Sequence, residues 1–190
     1  KEKITYEIIF IDDGSTDDTY SKLSSLNKAN KNVKVIRFSR NFGKESAMLA
    51  GLKNASGSYV AIMDADLQHT PEMLILMYKK LIDDDSFDCC CAYKSNREDE
   101  GSLKRTLTSL FYKINNKISD VKLLPGASDF RVFKKSVCDA ITSLDEKTRF
   151  LKGMFSWVGF NTIYVPYMPE KRMYGTSKWS SFKLLKYSLG

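Results

Sequence analysis

The first 100 residues contain two different patterns of apolar and polar positions. Short apolar runs have the length of buried strands, and the segments between them have the period of about 3.6 residues that is typical of helices packed on a sheet. Strands are predicted near 5–11, 33–38, 59–64 and 87–93, and helices near 17–29, 44–55 and 72–82. Gly57 and Pro71 mark a helix end and a helix start. The pattern predicts a parallel sheet built from βαβ units.

The pattern changes after residue 101. One face of a predicted long helix at 102–118 is apolar, through Leu103, Leu107, Leu110, Phe111, Ile114 and Ile118. A strand near 128–133, helices near 136–143 and 147–157, and a strand near 162–167 follow. The sequence has no internal repeat, so we expect residues 1–190 to form a single α/β domain.

The length and composition agree with one substantial core. The chain has 190 residues, of which 43% are hydrophobic, and this suffices for one domain. No apolar run reaches the roughly 18 residues of a membrane span, and no signal peptide is recognisable. The chain starts almost directly in a predicted strand and stops in a predicted helix, so we expect it to be a piece of a longer protein.

Charge divides the chain into two unlike halves. Residues 1–100 carry 14 basic and 17 acidic side chains, a net charge of −3, whereas residues 101–190 carry 16 and 6, a net charge of +10. The acidic half suits a divalent cation, and the basic half suits phosphates or an anionic membrane surface, although solvated surface lysines are an alternative. No zinc-finger spacing, aromatic ribonucleoprotein motif or basic heptad helix is present, which argues against a nucleic-acid partner.

Paired carboxylates follow two of the predicted strands. Asp64 and Asp66 end the run that starts at Tyr59, and side chains two positions apart on an extended chain point the same way. With the amide of Gln68 they are candidate ligands of a hard cation such as Mg²⁺ or Mn²⁺. The alternative is a solvated strand end. Asp12 and Asp13 end an earlier strand, and two such ends form the crevice where open α/β sheets bind ligands.

Cysteine and histidine add little chemistry. Cys89, Cys90 and Cys91 are consecutive in a strand, where neighbouring side chains alternate between faces, so they are predicted to be buried thiols rather than a joint metal site. Cys138 stands alone in a predicted helix, and free thiols favour a reducing compartment. His69, the one histidine, is predicted to be a loop residue and not a ligand.

An ordered set of motifs resembles glycosyltransferase family 2. It consists of Asp12-Asp13-Gly14-Ser15, Arg40-Asn41-Phe42-Gly43-Lys44, and Met63-Asp64-Ala65-Asp66-Leu67-Gln68 with Pro71-Glu72. Later motifs resemble the polyprenyl-phosphate group of that family, which includes dolichol-phosphate mannose synthases and bactoprenol glucosyltransferases. They are Ser128-Asp129-Phe130-Arg131, Arg149-Phe150, Gly153 with Ser156-Trp157-Val158-Gly159-Phe160, and Arg172-x-x-Gly175-x-Ser177-Lys178-Trp179.

The resemblance implies a GT-A fold, a mostly parallel nucleotide-binding sheet flanked by helices. It implies a nucleotide-sugar donor such as a UDP- or GDP-sugar, a divalent cation, and inversion at the anomeric carbon. Residues 1–100 become the donor-binding and metal-binding half, and 101–190 the acceptor-binding and membrane-facing half. The implied donor residues are Asp12, Asp13, Arg40, Lys44 and Asp64, and the implied metal ligands are Asp64, Asp66 and Gln68.

Four features depart from the family pattern. The first strand, with its Pro-x-Tyr-Asn-Glu segment, is absent from this sequence, and so are the membrane helices that commonly follow the catalytic domain. Lys94 stands where arginine is more usual, and His69-Thr70 replaces an acidic residue and a proline.

The kind of acceptor decides whether a base is needed. A sugar hydroxyl has to lose its proton, whereas a lipid phosphate is already an anion at neutral pH. Asp129 is therefore a candidate either for deprotonating or positioning an acceptor, or for orienting Arg131. Arg97, Arg131, Arg172, Ser177 and Lys178 are candidates for binding the donor diphosphate and the acceptor phosphate, with Arg131 and Arg172 assigned to catalysis. Surface charge is the alternative for the arginines.

Two basic amphipathic helices, at 102–118 and 179–189, are predicted either to lie on a bilayer or to pack on the sheet.

The hypothesis favoured by the sequence is an inverting, metal-dependent glycosyltransferase that moves a sugar from a nucleotide to undecaprenyl or dolichyl phosphate. We expect it at the cytoplasmic face of the cell membrane, anchored by segments outside this chain. The alternatives are a family 2 enzyme that extends a polysaccharide and a non-catalytic nucleotide-binding module. A phosphorylatable receiver domain, which also uses an acidic pair, fits the length and the Arg40–Lys44 segment poorly.

Overall fold

A computed structural model describes residues 4–94, 126–145 and 150–168. Several predicted features lie outside these residues. They are the helices at 102–118 and 179–189, the first part of the helix at 147–157, and the candidate site residues Arg97, Arg172, Ser177 and Lys178.

The amino-terminal part is a βαβ unit followed by a helix. Strand β1 (Ile8–Asp12) and strand β2 (Val33–Arg37) are parallel, with Ile8 opposite Val33 and Asp12 opposite Arg37. Helix α1 (Thr19–Ala29) connects them, and helix α2 (Lys44–Asn54) packs against β1. Gly51 of α2 faces the Ile11 side chain of β1, and a Cβ there would be in ordinary van der Waals contact with it at 3.7 Å.

A second sheet contains the other four described strands, in the order β3-β5-β4-β6. Its strands are β3 (Tyr59–Ile62), β4 (Cys89–Lys94), β5 (Ala127–Lys134) and β6 (Thr162–Tyr167). Three helices accompany them: α3 (Pro71–Asp83), α4 (Lys135–Ser143) and α5 (Leu151–Trp157). The start of α3 agrees with the sequence signal, since Pro71 is its first residue and the Thr70 hydroxyl accepts the Met73 N–H at 3.3 Å.

The predicted α/β class is confirmed, and the β1–β2 sheet is parallel as expected, whereas the four-stranded sheet is mixed. β4 and β6 are parallel, whereas β5 lies between β3 and β4 and is antiparallel to both. The reason is long-range pairing: β5 joins the sheet next to strands that are distant in sequence, and an apolar run carries no information on the direction of its partner.

The side chains of β5 alternate between two hydrophobic cores. Phe133 packs with Leu52 of α2 and with residues of α4 and α5 on one face. Phe130 and Val132 pack with Met77 of α3 on the other face. Full burial makes these residues costly to truncate, at about 3–5 kcal/mol for a Phe→Ala substitution.

The cysteines follow the same alternation, as predicted. Cys89 belongs to the core that contains Phe133, and Cys90 to the core that contains Phe130. All four cysteines are buried and free of disulfides. Within the described ranges, no helix is both long enough and apolar enough to span a membrane.

Candidate active site

The loops that follow β1 and β2 are bound together by Asp13. Its carboxylate accepts the N–H of Phe42 at 2.7 Å and that of Gly43 at 3.0 Å, the two residues that precede α2. Gly14 makes the close approach possible. It has a positive φ of 70°, and a Cβ there would lie 2.4 Å from the Arg40 carbonyl carbon.

Asp12 lies beneath this loop pair and is shielded from solvent. One carboxylate oxygen accepts the Ser15 N–H at 3.0 Å, and the other lies 3.5 Å from Nε of Arg37. That second oxygen is buried without a hydrogen bond among the described residues. The Arg37 guanidinium also lies over the Tyr20 ring, 4.3 Å from its centre. The nucleoside contacts that the resemblance implies for Asp12 and Asp13 stay a prediction.

Lys44, the first residue of α2, connects two of the candidate carboxylates. Its ammonium lies 2.9 Å from both oxygens of Asp64 and 2.7 Å from Oδ2 of Asp129. Burial alone would lower the pKa of Lys44, but the attraction of Asp129 and Asp64 outweighs it, so the pKa is raised. Lys44 is therefore a permanent cation at neutral pH.

Asp129 is the least exposed member of this cluster, with 17% of its side chain accessible. Burial would raise its pKa, but the charges of Lys152 and Lys44 outweigh that effect and lower it. The Lys152 ammonium, from α5, lies 3.8 Å from Oδ1 of Asp129. Asp129 is consequently an ionised carboxylate held between two cations.

The pairing of β3 with β5 explains why Asp64 and Asp129 meet. The last paired residues of the ladder are Ile62 and Arg131. Asp64 lies two residues beyond Ile62, and Asp129 two residues before Arg131, so the antiparallel register brings them opposite each other. Like charges that face each other across two strands destabilise a sheet, and the Lys44 ammonium offsets this.

Asp66 and Gln68 lie in a tight turn after β3. The Asp66 carboxylate accepts the Gln68 N–H at 3.1 Å, and Leu67 between them has a positive φ of 62°. Positive φ is unusual for leucine and marks local strain.

The residues at this turn fit a divalent cation only in part. The described ranges contain no group of three or more acidic, histidine or cysteine side chains placed to hold a metal. Asp64 and Asp66, two positions apart after β3, offer oxygen ligands that suit Mg²⁺ or Mn²⁺. Mg²⁺ is commonly held by one or two carboxylates together with substrate phosphates, so this pair fits a cation that arrives with a diphosphate.

His69 supports the turn through contacts that no local sequence signal predicts. Its Nδ1 accepts the Asp64 N–H at 3.4 Å, and its Nε2 lies 3.3 Å from the Tyr167 hydroxyl. The ring stacks on Phe130 at 4.4 Å and is only 8% exposed. Burial lowers the pKa of His69, which keeps the ring neutral. His69 is a loop residue, as predicted, and the structure adds that its ring is a buried support of the turn.

Arg131 is 5% exposed, so it lies inside the protein rather than at its surface. Its Nη2 donates to the Ser128 carbonyl at 2.9 Å, and its guanidinium lies over the Phe155 ring at 4.0 Å. These contacts hold the backbone that precedes Asp129. The predicted catalytic role of Arg131 is not tested by them and stays a prediction.

The structure thus brings together Lys44, Asp64 and Asp129, with Asp66 and Gln68 in the adjoining turn. Arg40 lies in the neighbouring loop, where its guanidinium covers the exposed Phe42 ring at 4.6 Å. The cluster therefore contains Lys44, a predicted donor residue, Asp64, a predicted metal ligand, and Asp129, a predicted catalytic carboxylate.

Comparison with known proteins identifies the family of this chain. The family model described as glycosyl transferase family 2 matches residues 2–142. A Synechocystis protein, named as the uncharacterized glycosyltransferase sll0501, is 39% identical over 98% of this chain and 58% of its own length. The bactoprenol glucosyl transferase of Shigella phage SfV is 40% identical over 96% of this chain and 59% of its own. The chain therefore spans somewhat more than half the length of these relatives.

Solved structures show the same fold. A mannosyltransferase from Pyrobaculum calidifontis, determined with GDP-mannose and Mn²⁺, superposes with a TM-score of 0.57 at 18% identity, over 90% of this chain and 49% of that one. This similarity confirms the predicted GT-A architecture. The family match over residues 2–142 and the two relatives show that the chain belongs to glycosyl transferase family 2.

Proposed function

We propose that the protein is an inverting, divalent-cation-dependent glycosyltransferase that moves a sugar from a nucleotide-sugar donor to a membrane polyprenyl phosphate. The observation that carries the proposal is the cluster of Lys44, Asp64 and Asp129 beside Asp66, in a family 2 chain. The choice of acceptor is supported by the relative named bactoprenol glucosyl transferase, at 40% identity.

The charge state of Asp129 favours a phosphate acceptor over a hydroxyl acceptor. A general base works best when its pKa is near the working pH, whereas the pKa of Asp129 is lowered by two lysines. Asp129 is therefore a poor base for removing a proton from a sugar hydroxyl. A polyprenyl phosphate is already an anion and needs no such base.

Each residue of the cluster has a role in this reaction. Asp64 and Asp66 would hold the divalent cation, and the chemistry that it would supply is Lewis-acid stabilisation of the charge on the departing nucleoside diphosphate. Lys44, on the first turn of α2, adds a permanent positive charge for the donor phosphates. Asp129 keeps Lys44 and Lys152 in place, and Arg131 holds the strand that carries Asp129. We assign Asp12, Asp13 and Arg40 to binding the nucleotide of the donor. Arg97, Arg172, Ser177 and Lys178 complete the proposal as phosphate-binding residues.

The proposed setting is the cytoplasmic face of the cell membrane, with the full-length protein anchored by segments outside this chain. The basic second half, with a net charge of +10, supports it, because basic segments are attracted to anionic lipid surfaces.

The test is sugar transfer by the full-length protein in membranes. We expect labelled sugar from one nucleotide donor to enter an acid-labile product that extracts into organic solvent. A polyprenol that carries a hydroxyl in place of the phosphate should not be an acceptor. Equal transfer to that polyprenol, or transfer only to a polysaccharide, would contradict the proposed acceptor. Binding of nucleotide without any turnover would favour a non-catalytic module.

Two further measurements identify the donor nucleotide and test whether the reaction needs a metal. A thermal-shift panel of UDP- and GDP-sugars with Mn²⁺ should identify the donor, because a ligand at 100 times its Kd stabilises by about 2.7 kcal/mol. Asp66→Asn should lower turnover at least about 100-fold, because it removes a charged metal ligand. The matched control is Asp83→Asn at the exposed end of α3, which should keep full activity.

A further inference from the structure

One cation holds two carboxylates that come from different strands. The Lys44 ammonium contacts both oxygens of Asp64 and one oxygen of Asp129 within 2.9 Å. Lys44 is itself on a third element, α2, so these three charges fasten α2 to the ends of β3 and β5. Such short ion contacts are the strong class of hydrogen bond.

A cation at this position offsets the repulsion between two facing carboxylates. The register of β3 and β5 places Asp64 opposite Asp129, and both are partly withdrawn from water, with 36% and 17% of the side chain exposed. Their repulsion is poorly screened there, so a positive charge between them stabilises this end of the sheet. Lys152 contacts Asp129 at 3.8 Å, but its ammonium is on the other oxygen of that carboxylate.

Asp64 is also one of the two carboxylates that suit a divalent cation. Its oxygens cannot serve the ammonium and the metal equally, because two cations at one carboxylate repel each other. Lys44 is 42% exposed, so its side chain has open solvent into which it can swing. After leaving Asp64, the ammonium is still within reach of Asp129.

We propose that Lys44 is an internal counter-cation, which holds Asp64 and Asp129 together in the donor-free enzyme and is displaced from Asp64 when a divalent cation binds. The inference rests on the metal part of the proposed function. It gives Lys44 a positioning role that precedes any contact with the donor, because the ammonium keeps both carboxylates in place without metal. Since the ammonium competes for Asp64, the metal binds weakly until a donor diphosphate adds its own oxygen ligands.

The experiment measures Mn²⁺ alone. The full-length protein without nucleotide is titrated with Mn²⁺, and the free ion is followed by electron paramagnetic resonance. In Lys44→Met the competing ammonium is absent, so the Kd for Mn²⁺ should fall at least about tenfold, the size of effect that a charge at this distance has on an ionisation equilibrium. Lys44→Arg keeps the charge and should remain within about threefold of the parent protein. Damage to the fold would weaken metal binding, which is the opposite direction.

Two controls complete the design. Lys152→Met removes the same charge from Asp129 without freeing Asp64, and it should change the Kd by less than about threefold. Lys44→Gln can still donate hydrogen bonds to both carboxylates. It replaces Lys44→Met if that variant does not fold, and the same decrease in the Kd for Mn²⁺ is expected.

Three outcomes would overturn the inference. They are unchanged or weaker Mn²⁺ binding in the neutral Lys44 variants, an equal decrease in the Kd for Lys152→Met, and no Mn²⁺ binding to any of these proteins. Absence of sugar transfer by the parent protein would instead overturn the proposed function and leave the Mn²⁺ comparison standing.

Discussion

The carboxylate of Glu45, in the first turn of α2, accepts the backbone N–H of Leu151, the first residue of α5, at 3.0 Å. Such N–H groups at a helix start have no partner within the helix, so Glu45 acts as a cap supplied by another helix. Leu151 is buried, and α5 also carries Lys152, which contacts Asp129. The start of α2 thus positions α5 as well as the candidate site.

Glu45→Ala should destabilise the protein by about 1 kcal/mol, the usual cost of removing a helix cap. Glu45→Gln keeps an acceptor oxygen and should recover most of that loss. The control is Glu72→Ala, which removes an exposed carboxylate from the first turn of α3 and should cost at most about 0.5 kcal/mol. Urea denaturation measures all three. Equal losses in the Glu45 and Glu72 alanine variants would show that the contact with Leu151 adds nothing.

Leu67 should behave unlike other exposed leucines. Its φ of 62° is in the left-handed region, and 55% of its surface is exposed, so it combines backbone strain with little burial. Leu67→Asn should leave the free energy of unfolding unchanged or raise it by up to about 1 kcal/mol, because asparagine tolerates this conformation better. The Tm should follow in the same direction. Leu26→Asn, at a 50% exposed position inside α1, should destabilise by about 0.5 kcal/mol through helix propensity. A larger loss at Leu67 than at Leu26 would contradict this reasoning.

Local pattern was sufficient to predict most of the described elements and part of the candidate site. The apolar run that ends at Asp64 and the cap at Thr70-Pro71 are properties of a few neighbouring residues, so β3 and α3 could be located from the sequence. The resemblance added the family and the GT-A fold, and both are confirmed.

The missing information concerns contacts between distant residues. The direction of β5 depends on its pairing with β3 and β4, and this pairing brings Asp129 opposite Asp64. Without it, the bridge through Lys44 could not be foreseen. His69 was missed for a similar reason, because the surface on which it stacks comes from Phe130 on β5.

The four thiols should be unreactive in the native protein. Burial raises the pKa of Cys89 to about 12 and that of Cys90 to about 11, and it raises the pKa of Cys91 and Cys138 as well. Since the thiolate is the reactive form, an aromatic disulfide reagent at pH 8 should modify almost none of them within minutes. After denaturation it should detect all four. A thiol that reacts rapidly in the folded protein would show that one of these cysteines is accessible.

Glu7 should make a pH-dependent contribution to stability. Its carboxylate accepts a hydrogen bond from Lys34 at 2.6 Å and two from Ser56, through the backbone N–H and the hydroxyl, each at 2.7 Å. The hydrogen bond with Lys34, followed by those with Ser56, lowers the pKa of Glu7 from 4.5 to about 2. Folding therefore favours the ionised form.

The sign follows from the lowered pKa. The stabilisation is fully present above about pH 4.5 and disappears as the pH falls towards 2. At pH 7, Glu7→Gln should lower the free energy of unfolding by on the order of 1 kcal/mol, a value reduced for solvent screening because Lys34 is half exposed. Urea denaturation of the variant and the parent protein between pH 7 and the acid range should show this difference shrinking with falling pH. The exposed Glu72→Gln serves as the control, with a small difference at every pH. A Glu7→Gln effect that stays constant or grows on acidification would contradict the assignment.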